Sequence, residues 1–304
     1  MIAVCIATYN QEAFIAQAIE SVLAQTCDEP MRVYIGDDTS TDGTAAVCEH
    51  YASLDNRIVY IRRKNNMGLT DNTIDLYRRI LADGCAYIAM LDGDDYWIDT
   101  HKIQLQIDYL RAHPEVGFVH TNGQTSSGSG KTSFEPATGP YGVDGSGPVN
   151  CTVLFRTSLL SEELLNAIAA QHFLWLDYPL YGVFYQHTQW AYLPQITAVW
   201  REHTSVSNPK KAIEILRYRE ERCRMWKWLE EQYPGKMGYS EKEAQDFLFY
   251  TKLNLIYQFD DFSFASPELL HAYKPRNWKQ KLKLIGLKHP LIYAFYKKLH
   301  KKFA

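Results

Sequence analysis

Long apolar runs and paired cysteines are both missing from this chain of 304 residues. No segment approaches the run of about 18 apolar residues that a membrane-spanning helix needs, so we expect no transmembrane helix. The six cysteines are scattered without a C-x-x-C pair, a spacing that indicates neither a zinc site nor a disulfide framework. The N-terminus also lacks the charged segment and long apolar core of a signal peptide. These absences favour a cytoplasmic protein.

Acidic residues are missing from the C-terminal tail. Residues 274–304 contain ten of the 32 basic residues and none of the 35 acidic ones. Trp278, Leu282 and Ile285 recur there at roughly helical spacing, with lysines between them. Such a helix either makes a peripheral contact with the inner face of an anionic membrane or packs on the protein with its basic face in solvent. We expect no nucleic acid to bind, because the rest of the chain is acidic and carries no motif that reads nucleic acid.

Short apolar segments alternate with segments of helical periodicity over the first 120 residues. Strands are predicted at residues 2–7, 33–36, 58–61, 87–91 and 116–120. Helices are predicted between them, at residues 13–23, 43–54, 69–82 and 102–112. Beyond residue 120, a strand is predicted at 149–155, a helix at 159–170 and a strand at 192–200. This alternation predicts an α/β fold with βαβ units and a mostly parallel sheet flanked by helices.

The composition changes twice further along the chain. Residues 121–149 are rich in Gly, Ser, Thr and Pro, and a loop of that length is usually a functional lid or an unstructured segment. Its SGSGKTS stretch is not a P-loop, because Thr125 stands where the first glycine is needed. After residue 208 the composition is helical to the end. We therefore predict a boundary near residue 208.

The most informative stretch is YIAMLDGDDYW, residues 87–97. Its first five residues predict a strand buried on both faces, and Asp92, Asp94 and Asp95 follow directly. Ligands of open α/β sheets bind just beyond the carboxyl ends of strands, and hard divalent cations prefer carboxylate and phosphate oxygens. The stretch is therefore either a metal–diphosphate site or a plain, solvated acidic turn. Asp37 and Asp38 follow another predicted strand at the same edge.

Several motifs, in order, resemble those of the family 2 glycosyltransferases, which are inverting enzymes with the GT-A fold. The stretches are IATYNQEAFIAQAIESVLAQT, IGDDTSTDGT, NNMGLTDN and YIAMLDGDDYW followed by Lys102, and more weakly NCTVLFRTSLL, WLDYPLYGVF and VWREHTSVS. The resemblance covers about residues 2–207. It implies a catalytic domain at 1–207, with a donor half at about 1–120 and an acceptor half at 121–207. Residues 208–304 would then form a helical extension with the basic tail.

The resemblance also assigns roles in donor binding. Thr8 and Tyr9 would frame the nucleotide base, and Asp38 would accept a hydrogen bond from it, typically from N3–H of uracil. Asn72 would approach the donor, and Asp92 would contact the ribose or sugar beside the metal. On sequence alone, Tyr9 could instead be core packing and Asp38 a simple helix cap.

The same resemblance predicts a metal site at the DGDD turn. Asp94, with Asp92, would bind Mn²⁺ or Mg²⁺ between the two phosphates, and Gly93 would lie beside the donor. Asp95 would orient the turn or a ligand. Arg201 would pair with phosphate and His203 would join the metal shell, although His203 could equally be a hydrogen-bonded structural histidine.

Asp177 falls where the family places its general base. The acceptor hydroxyl loses a proton as it attacks the anomeric carbon, and a carboxylate can take that proton. Its aromatic neighbours would raise its pKa. The other interpretation is a buried carboxylate paired with a cation. One departure concerns the base pocket, since Thr39 stands where the family usually has glycine.

These observations predict a metal-dependent inverting transferase that moves a sugar from a nucleotide-diphosphate sugar, most simply a UDP-sugar. The acceptor would be a hydroxyl of a saccharide or lipid-linked saccharide in bacterial surface polysaccharide synthesis. Two alternatives remain open. One is a nucleotidyltransferase of the same fold, although TYNQEAF is not the Gly-rich basic loop that such enzymes usually carry. The other is a sugar-nucleotide-binding assembly protein without turnover.

Overall fold

A computed structural model describes residues 1–126, 147–201, 211–266, 274–275, 277–289 and 291–294. The chain divides into two compact units, Met1–Glu202 and His203–Ala304. Most of the Gly- and Ser-rich segment lies outside the described residues, as do the SGSGKTS stretch, His203 and the last ten residues. The two units are described separately below.

The first unit is built on an eight-stranded sheet with the strand order β3-β2-β1-β4-β7-β6-β8-β5. The strands are β1 Ile2–Thr8, β2 Met31–Asp37, β3 Ile58–Arg62, β4 Tyr87–Asp92, β5 Tyr96–Trp97, β6 Val116–Thr125, β7 Val153–Arg156 and β8 Gln189–Trp200. The helices are α1 Ile15–Leu23, α2 Thr44–Leu54, α3 Leu69–Ala82, α4 Lys102–Ala112, α5 Glu162–Ala169 and α6 Asp177–His187. Strand and helix alternate from β1 to β4, as the sequence predicts.

The hydrophobic pattern explains why these segments adopt their structures. β1 is buried along its whole length, because it is a central strand covered on both faces. α1 repeats its apolar residues at helical spacing, and one face buries Ile15, Ala18, Ile19 and Val22 against the sheet. This burial holds α1 on the sheet. The ends of the strands in this sheet carry the candidate site.

The parallel prediction holds for the first half of the sheet. β1 pairs in parallel with β2 and β4, and β2 pairs in parallel with β3. β7 runs antiparallel to both β4 and β6, and β5 runs antiparallel to β8, while β6 and β8 are parallel. The sheet is therefore mixed at this end. Short strands such as β5 and β7 carry too few residues for their direction to be inferred from sequence.

One helix and one strand were not expected. α6 begins at Asp177 and buries Tyr178 to Phe184 without interruption, so it shows no amphipathic stripe from which a helix could be recognised. β5 contains only two residues. Both elements border the acidic turn or the predicted base.

The second unit is helical in its described part. α7 spans Ala212–Gln232, α8 spans Glu241–Phe259 and α9 spans Trp278–Lys288. Leu216, Leu253, Ile256, Tyr257 and Phe264 are among the residues of its core. Across the described part of the chain, no helix has the length and apolar character needed to cross a membrane.

Candidate active site

The register of the parallel strands brings the predicted polar residues to one edge. Thr8 at the end of β1 lies opposite Asp37, and Ala7 lies opposite Asp92 at the end of β4. The backbone N–H of Asp38 donates to the Thr8 carbonyl oxygen over 3.0 Å. The carboxyl ends of β1, β2 and β4 therefore lie side by side at one edge of the sheet, which is where ligands bind in α/β sheets.

Tyr9 and Asp38 are predicted to contact the nucleotide base. Tyr9 is 48% exposed, so its ring is not part of the core. The Asp38 carboxylate is buried and accepts hydrogen bonds from the backbone N–H groups of Met67 and Gly68, at 2.7 and 2.8 Å. A carboxylate can accept about four hydrogen bonds, so the two backbone donors orient the group and still leave acceptor capacity.

Asp37, the neighbouring carboxylate, has a structural role. It is fully buried, and it accepts from the backbone N–H of Ser40 and from the Tyr60 hydroxyl, both over 2.8 Å. These bonds hold the turn that follows β2. Of the two acidic residues at the end of this strand, only Asp38 borders the predicted pocket.

The loop after β1 is fastened to the loop after β2 by side chains. The backbone N–H of Asn10 donates to the Ser40 hydroxyl, and the Asn10 side chain accepts from the backbone N–H of Thr41 over 2.8 Å. Thr39, which directly precedes Ser40 in this loop, has a φ of +64°. This left-handed conformation is unfavourable for a β-branched residue, which explains why glycine suits the position. The threonine is accommodated in a turn that the neighbouring bonds already fix.

Asn72 lies in the first turns of α3 and is 1% exposed. Its amide Nδ2 donates to the Gly36 carbonyl oxygen, and its Oδ1 accepts from Nε of Arg63, both over 2.8 Å. Arg63 also pairs with Asp75. Asn72 therefore joins α3 to β2 and β3, and its predicted contact with the donor stays a prediction.

Asp92, the first carboxylate of the acidic turn, has a raised pKa. The Oδ1 atom of Asp92 accepts from the Asn150 side chain over 2.9 Å, and the Asn150 Oδ1 accepts from the Tyr181 hydroxyl over 2.6 Å. The pKa of the Asp92 carboxyl is raised to about 7, chiefly by loss of solvation and also by the negative charges of Asp94 and Asp177, while the Asn150 hydrogen bond acts in the opposite direction. The charges of Asp94 and Asp177 are thus close enough to Asp92 to oppose its ionisation.

Gly93 separates the first two carboxylates of the turn. A Cβ at this position would come within 2.3 Å of the Gln11 Oε1 and 2.9 Å of the Thr8 Oγ1. Those two side chains are themselves joined by a hydrogen bond of 2.7 Å. Glycine therefore lets the acidic turn pack directly against the end of β1.

Asp95 and Arg201 tie the turn to the end of β8. Asp95 is 1% exposed, and its Oδ1 accepts from the backbone N–H of Arg201 over 2.9 Å. Burial, followed by the charges of Asp92 and Asp94, raises the pKa of the Asp95 carboxyl well above its usual range. The orienting role of Asp95 stays a prediction.

The Arg201 side chain is held by neutral partners. It donates to the backbone carbonyl of Asp94 and to the Gln17 side chain. Its guanidinium also lies 4.6 Å from the ring centre of Tyr96 and 5.0 Å from that of Phe14. Arg201 thus braces the acidic turn, and its predicted contact with phosphate stays a prediction.

Asp177 is the first residue of α6, where its Oδ1 accepts from the backbone N–H of Tyr178 over 2.7 Å. The preceding segment is anchored to α3, because the Thr70 hydroxyl donates to the Phe173 carbonyl over 2.7 Å. The influence of Asp177 on the pKa of Asp92 places its charge near the acidic turn. Two residues that are 85 positions apart in sequence are therefore close enough for their charges to interact.

The donor atoms of the turn suit a divalent cation. Asp92 and Asp94 offer carboxylate oxygens in a region where further negative charge is unfavourable, and Mg²⁺ sites often combine one or two carboxylates with substrate phosphates. Within the described residues, no group of three or more His, Cys, Asp and Glu side chains could hold a metal on its own. His203 lies outside those residues.

Two contributors to the site had no predicted role. Asn150 connects Asp92 to α6, and Gln11 packs against the glycine of the turn. Lys102 was noted only as part of a motif. It is fully buried, with its ammonium 4.4 Å from the Trp97 ring centre and 2.6 Å from the Gln106 Oε1. Burial lowers the pKa of Lys102 to about 7.

The fold is that of the GT-A transferases. The structure superposes on S. aureus TarS 1-349 in complex with UDP-GlcNAc with a TM-score of 0.58 and 16% identity, over 94% of this chain and 79% of that one. The mannosyltransferase PcManGT from Pyrobaculum calidifontis, in complex with GDP-Man and Mn²⁺, gives a TM-score of 0.56 at 16% identity, over 99% and 87% of the two chains. The predicted fold class is confirmed.

Residues 3–156 match the family model described as glycosyl transferase family 2, and the chain belongs to that family. The β-1,3-glucosyltransferase WfaP of Escherichia coli, named for UDP-Glc and α-D-GlcNAc-diphosphoundecaprenol, is 33% identical over 129 residues, which are 40% of this chain and 45% of that protein. The chain spans about a third to a half of the length of the first curated relatives that it matches.

Proposed function

We propose that the protein is a metal-dependent inverting glycosyltransferase with Asp177 as its general base. The observation that carries this proposal is the hydrogen-bonded link from Asp92 through Asn150 to Tyr181 of α6, the helix that begins at Asp177. The negative charge of Asp177 also raises the pKa of the Asp92 carboxyl. In this proposal Asp92 and Asp94 would bind the donor diphosphate, and Asp177, on a different element, would act on the acceptor. Carboxylates on two elements suit a reaction in which leaving group and nucleophile lie on opposite sides of one carbon.

The transfer would be a single displacement. The acceptor oxygen forms a bond to the anomeric carbon while the bond from that carbon to the diphosphate oxygen breaks. The acceptor proton passes to the Asp177 carboxylate, and the electron pair of the broken bond leaves on the nucleoside diphosphate. General-base catalysis of this kind contributes about 10²–10⁴-fold to the rate.

The acidic turn would hold the donor. A divalent cation, Mn²⁺ or Mg²⁺, bound at Asp94 and Asp92 would neutralise charge on the departing diphosphate. Asp95 and Arg201 would keep the turn in position through the bonds described above. His203, outside the described residues, is retained as a proposed metal contact.

The donor is proposed to be a UDP-sugar. The buried, oriented carboxylate of Asp38 suits an N–H donor such as that of uracil, and exposed Tyr9 offers a ring against the base. TarS was solved with UDP-GlcNAc, which supports this choice, whereas PcManGT was solved with GDP-Man and Mn²⁺. The base must therefore be tested directly.

The acceptor is proposed to be a saccharide or lipid-linked saccharide of bacterial polysaccharide synthesis, since the name of WfaP includes a diphosphoundecaprenol-linked sugar. We also propose that residues 1–207 form the catalytic domain and that the helical extension carries a peripheral membrane contact. In α9, Trp278 is 65% exposed and Leu282 is 37% exposed.

The test is a thermal-shift panel with UDP, GDP, CMP and ADP, each with and without Mn²⁺. We expect UDP to raise the melting temperature only when the metal is present, and Asp94→Asn to abolish that rise. Asp108→Asn, an exposed carboxylate on α4, serves as the matched control. A preference for GDP would overturn the assignment of uracil as the donor's nucleotide base. An unchanged response of Asp94→Asn would remove the metal assignment.

A further inference from the structure

Two arginines of the second unit lie close together outside the site described above. Arg219 and Arg222 are three residues apart on α7, and therefore on one face of the helix. The Arg222 guanidinium lies 5.2 Å from the ring centre of Tyr218, and its Nη2 donates to the Tyr218 hydroxyl over 3.2 Å. The Arg219 guanidinium lies 5.8 Å from the same ring and 5.7 Å from the ring of Phe247 on α8. The two cations share one aromatic-walled region.

Arg222 is buried, being only 9% exposed, and its Nε has no hydrogen-bond partner among the described residues. Within the described residues, neither Arg219 nor Arg222 forms an ion pair with a carboxylate. The exposed Arg224 of the same helix, in contrast, pairs with Glu221 over 2.6 Å. Buried charges are normally paired, since an unpaired one loses its hydration without compensation. On α7, counting partners in the described part of the chain, the exposed Arg224 is paired and the buried Arg222 is not, which is the reverse of that expectation.

The electrostatics of the pair agree with its geometry. Burial lowers the pKa of the Arg219 guanidinium, and the positive charge of Arg222 lowers it further. The groups that oppose this shift are Tyr218 and Cys223, neither of which is a carboxylate. An anion between the two guanidinium groups would satisfy the Arg222 Nε–H and relieve the repulsion.

We propose that Arg219 and Arg222 form a binding site for a phosphate-type oxyanion. A guanidinium presents a planar fork of donors that matches phosphate oxygens, and two such forks on one helix face suit a diphosphate. The diphosphate could belong to a soluble ion or to a lipid-linked acceptor. Only the second source rests on the function proposed above.

The experiment is isothermal titration calorimetry in the presence of EDTA with two probes, inorganic pyrophosphate and farnesyl diphosphate. We expect binding by the wild type and at least about tenfold weaker binding by Arg222→Gln and Arg219→Gln. Arg217→Gln, an exposed arginine of the same helix, is the control and should bind normally. Tighter binding of farnesyl diphosphate assigns the site to a lipid-linked diphosphate, and equal binding assigns it to the soluble ion.

Two results would overturn the site: no binding of either probe by the wild type, or equal affinity in the two Gln variants. Asp94→Asn should retain pyrophosphate binding, and a loss there would move the anion to the acidic turn and overturn the proposal. This arm is independent of turnover, so it separates a failure of this site from a failure of the proposed function.

A further variant guards against simple misfolding. Arg222→Met removes a buried unpaired charge while keeping much of the volume, so it should not lower the melting temperature in the absence of an anion. It should also abolish the rise in melting temperature that pyrophosphate causes in the wild type. A large fall in melting temperature without pyrophosphate would mean that Arg222 supports the fold instead, and would overturn the proposal.

Discussion

Each carboxylate near the end of β4 has a distinct environment. Asp92 accepts a hydrogen bond from Asn150, Asp95 is buried beneath the turn and Asp177 begins a helix. Because their surroundings differ, substitution of each should have a different consequence. Asp95 should affect the shape of the turn, whereas Asp177 should affect the chemical step.

Asp177→Asn should leave donor binding intact and lower kcat at least about a hundredfold, because the amide cannot accept the acceptor proton. The amide oxygen can still accept the Tyr178 N–H, so α6 should begin as before. The measurement is steady-state kinetics together with the dissociation constant of the donor. Near-normal kcat would assign the base to another residue.

Thr39→Gly should stabilise the protein by up to about 1 kcal/mol, since glycine adopts the positive φ without steric conflict. Chemical denaturation should reveal the gain as a higher midpoint at an unchanged slope. Asn10→Gly is the matched control. Asn10 also has a positive φ, which asparagine tolerates well, and its side chain accepts the Thr41 N–H, so this change should not stabilise. A loss of stability in Thr39→Gly would show that the threonine contacts outweigh the backbone strain.

At the scale of elements, the site depends on how loops pack on strand ends. The acidic turn is pressed against β1 at Gly93, and Arg201 at the end of β8 fastens it from the other side. The segment before α6 is anchored to α3 through Thr70. Each of these elements therefore helps to position the carboxylates, and a shift of any one would change the distances between them.

Gly93→Ala should lower kcat/KM by at least about tenfold, because the new methyl group would displace the turn from Thr8 and Gln11 by a fraction of an ångström or more. Gln11→Ala removes the nearer obstacle. The double variant Gln11→Ala/Gly93→Ala should therefore recover part of the lost activity, although Thr8 still restricts the space. Full activity in Gly93→Ala would indicate that the turn tolerates this displacement.

At the scale of the whole molecule, the two units differ in composition as well as in fold. The first is a mixed sheet covered by helices, and the second is helical in its described part, with a strongly basic C-terminal segment. α9 buries one face, where Gly286 lies against the Tyr257 hydroxyl. Its other face presents Trp278 and Leu282 to solvent.

The basic segment should bind vesicles that contain anionic lipid, with weaker binding at high salt. Trp278→Ala/Leu282→Glu should reduce the bound fraction severalfold in a sedimentation assay. Leu54→Glu is the matched control, since Leu54 is 69% exposed on α2 of the first unit and should not matter. Equal binding by the double variant and the wild type would exclude this face as the membrane contact.

Local patterns in the sequence were sufficient for much of the fold. Seven strands, five helices and the acidic turn of the first unit could be predicted, because apolar periodicity and the strand-to-turn transition are short-range signals. The direction of the strands beyond β4 could not be predicted from the sequence. Neither could α6, since a helix buried on most faces has no polar stripe. The family motifs added the expected positions of the base and the metal.

Only the tertiary structure decided which side chains meet. Asn150 contacts Asp92 across 58 residues, and Arg201 contacts Asp95 across 106. Such pairs depend on strand register and on which loops share an edge, and neither is encoded in a local pattern. The same reason applies to Arg219 and Arg222 on α7, since a sequence shows two arginines three residues apart but not that neither of them forms an ion pair within the described part of the chain.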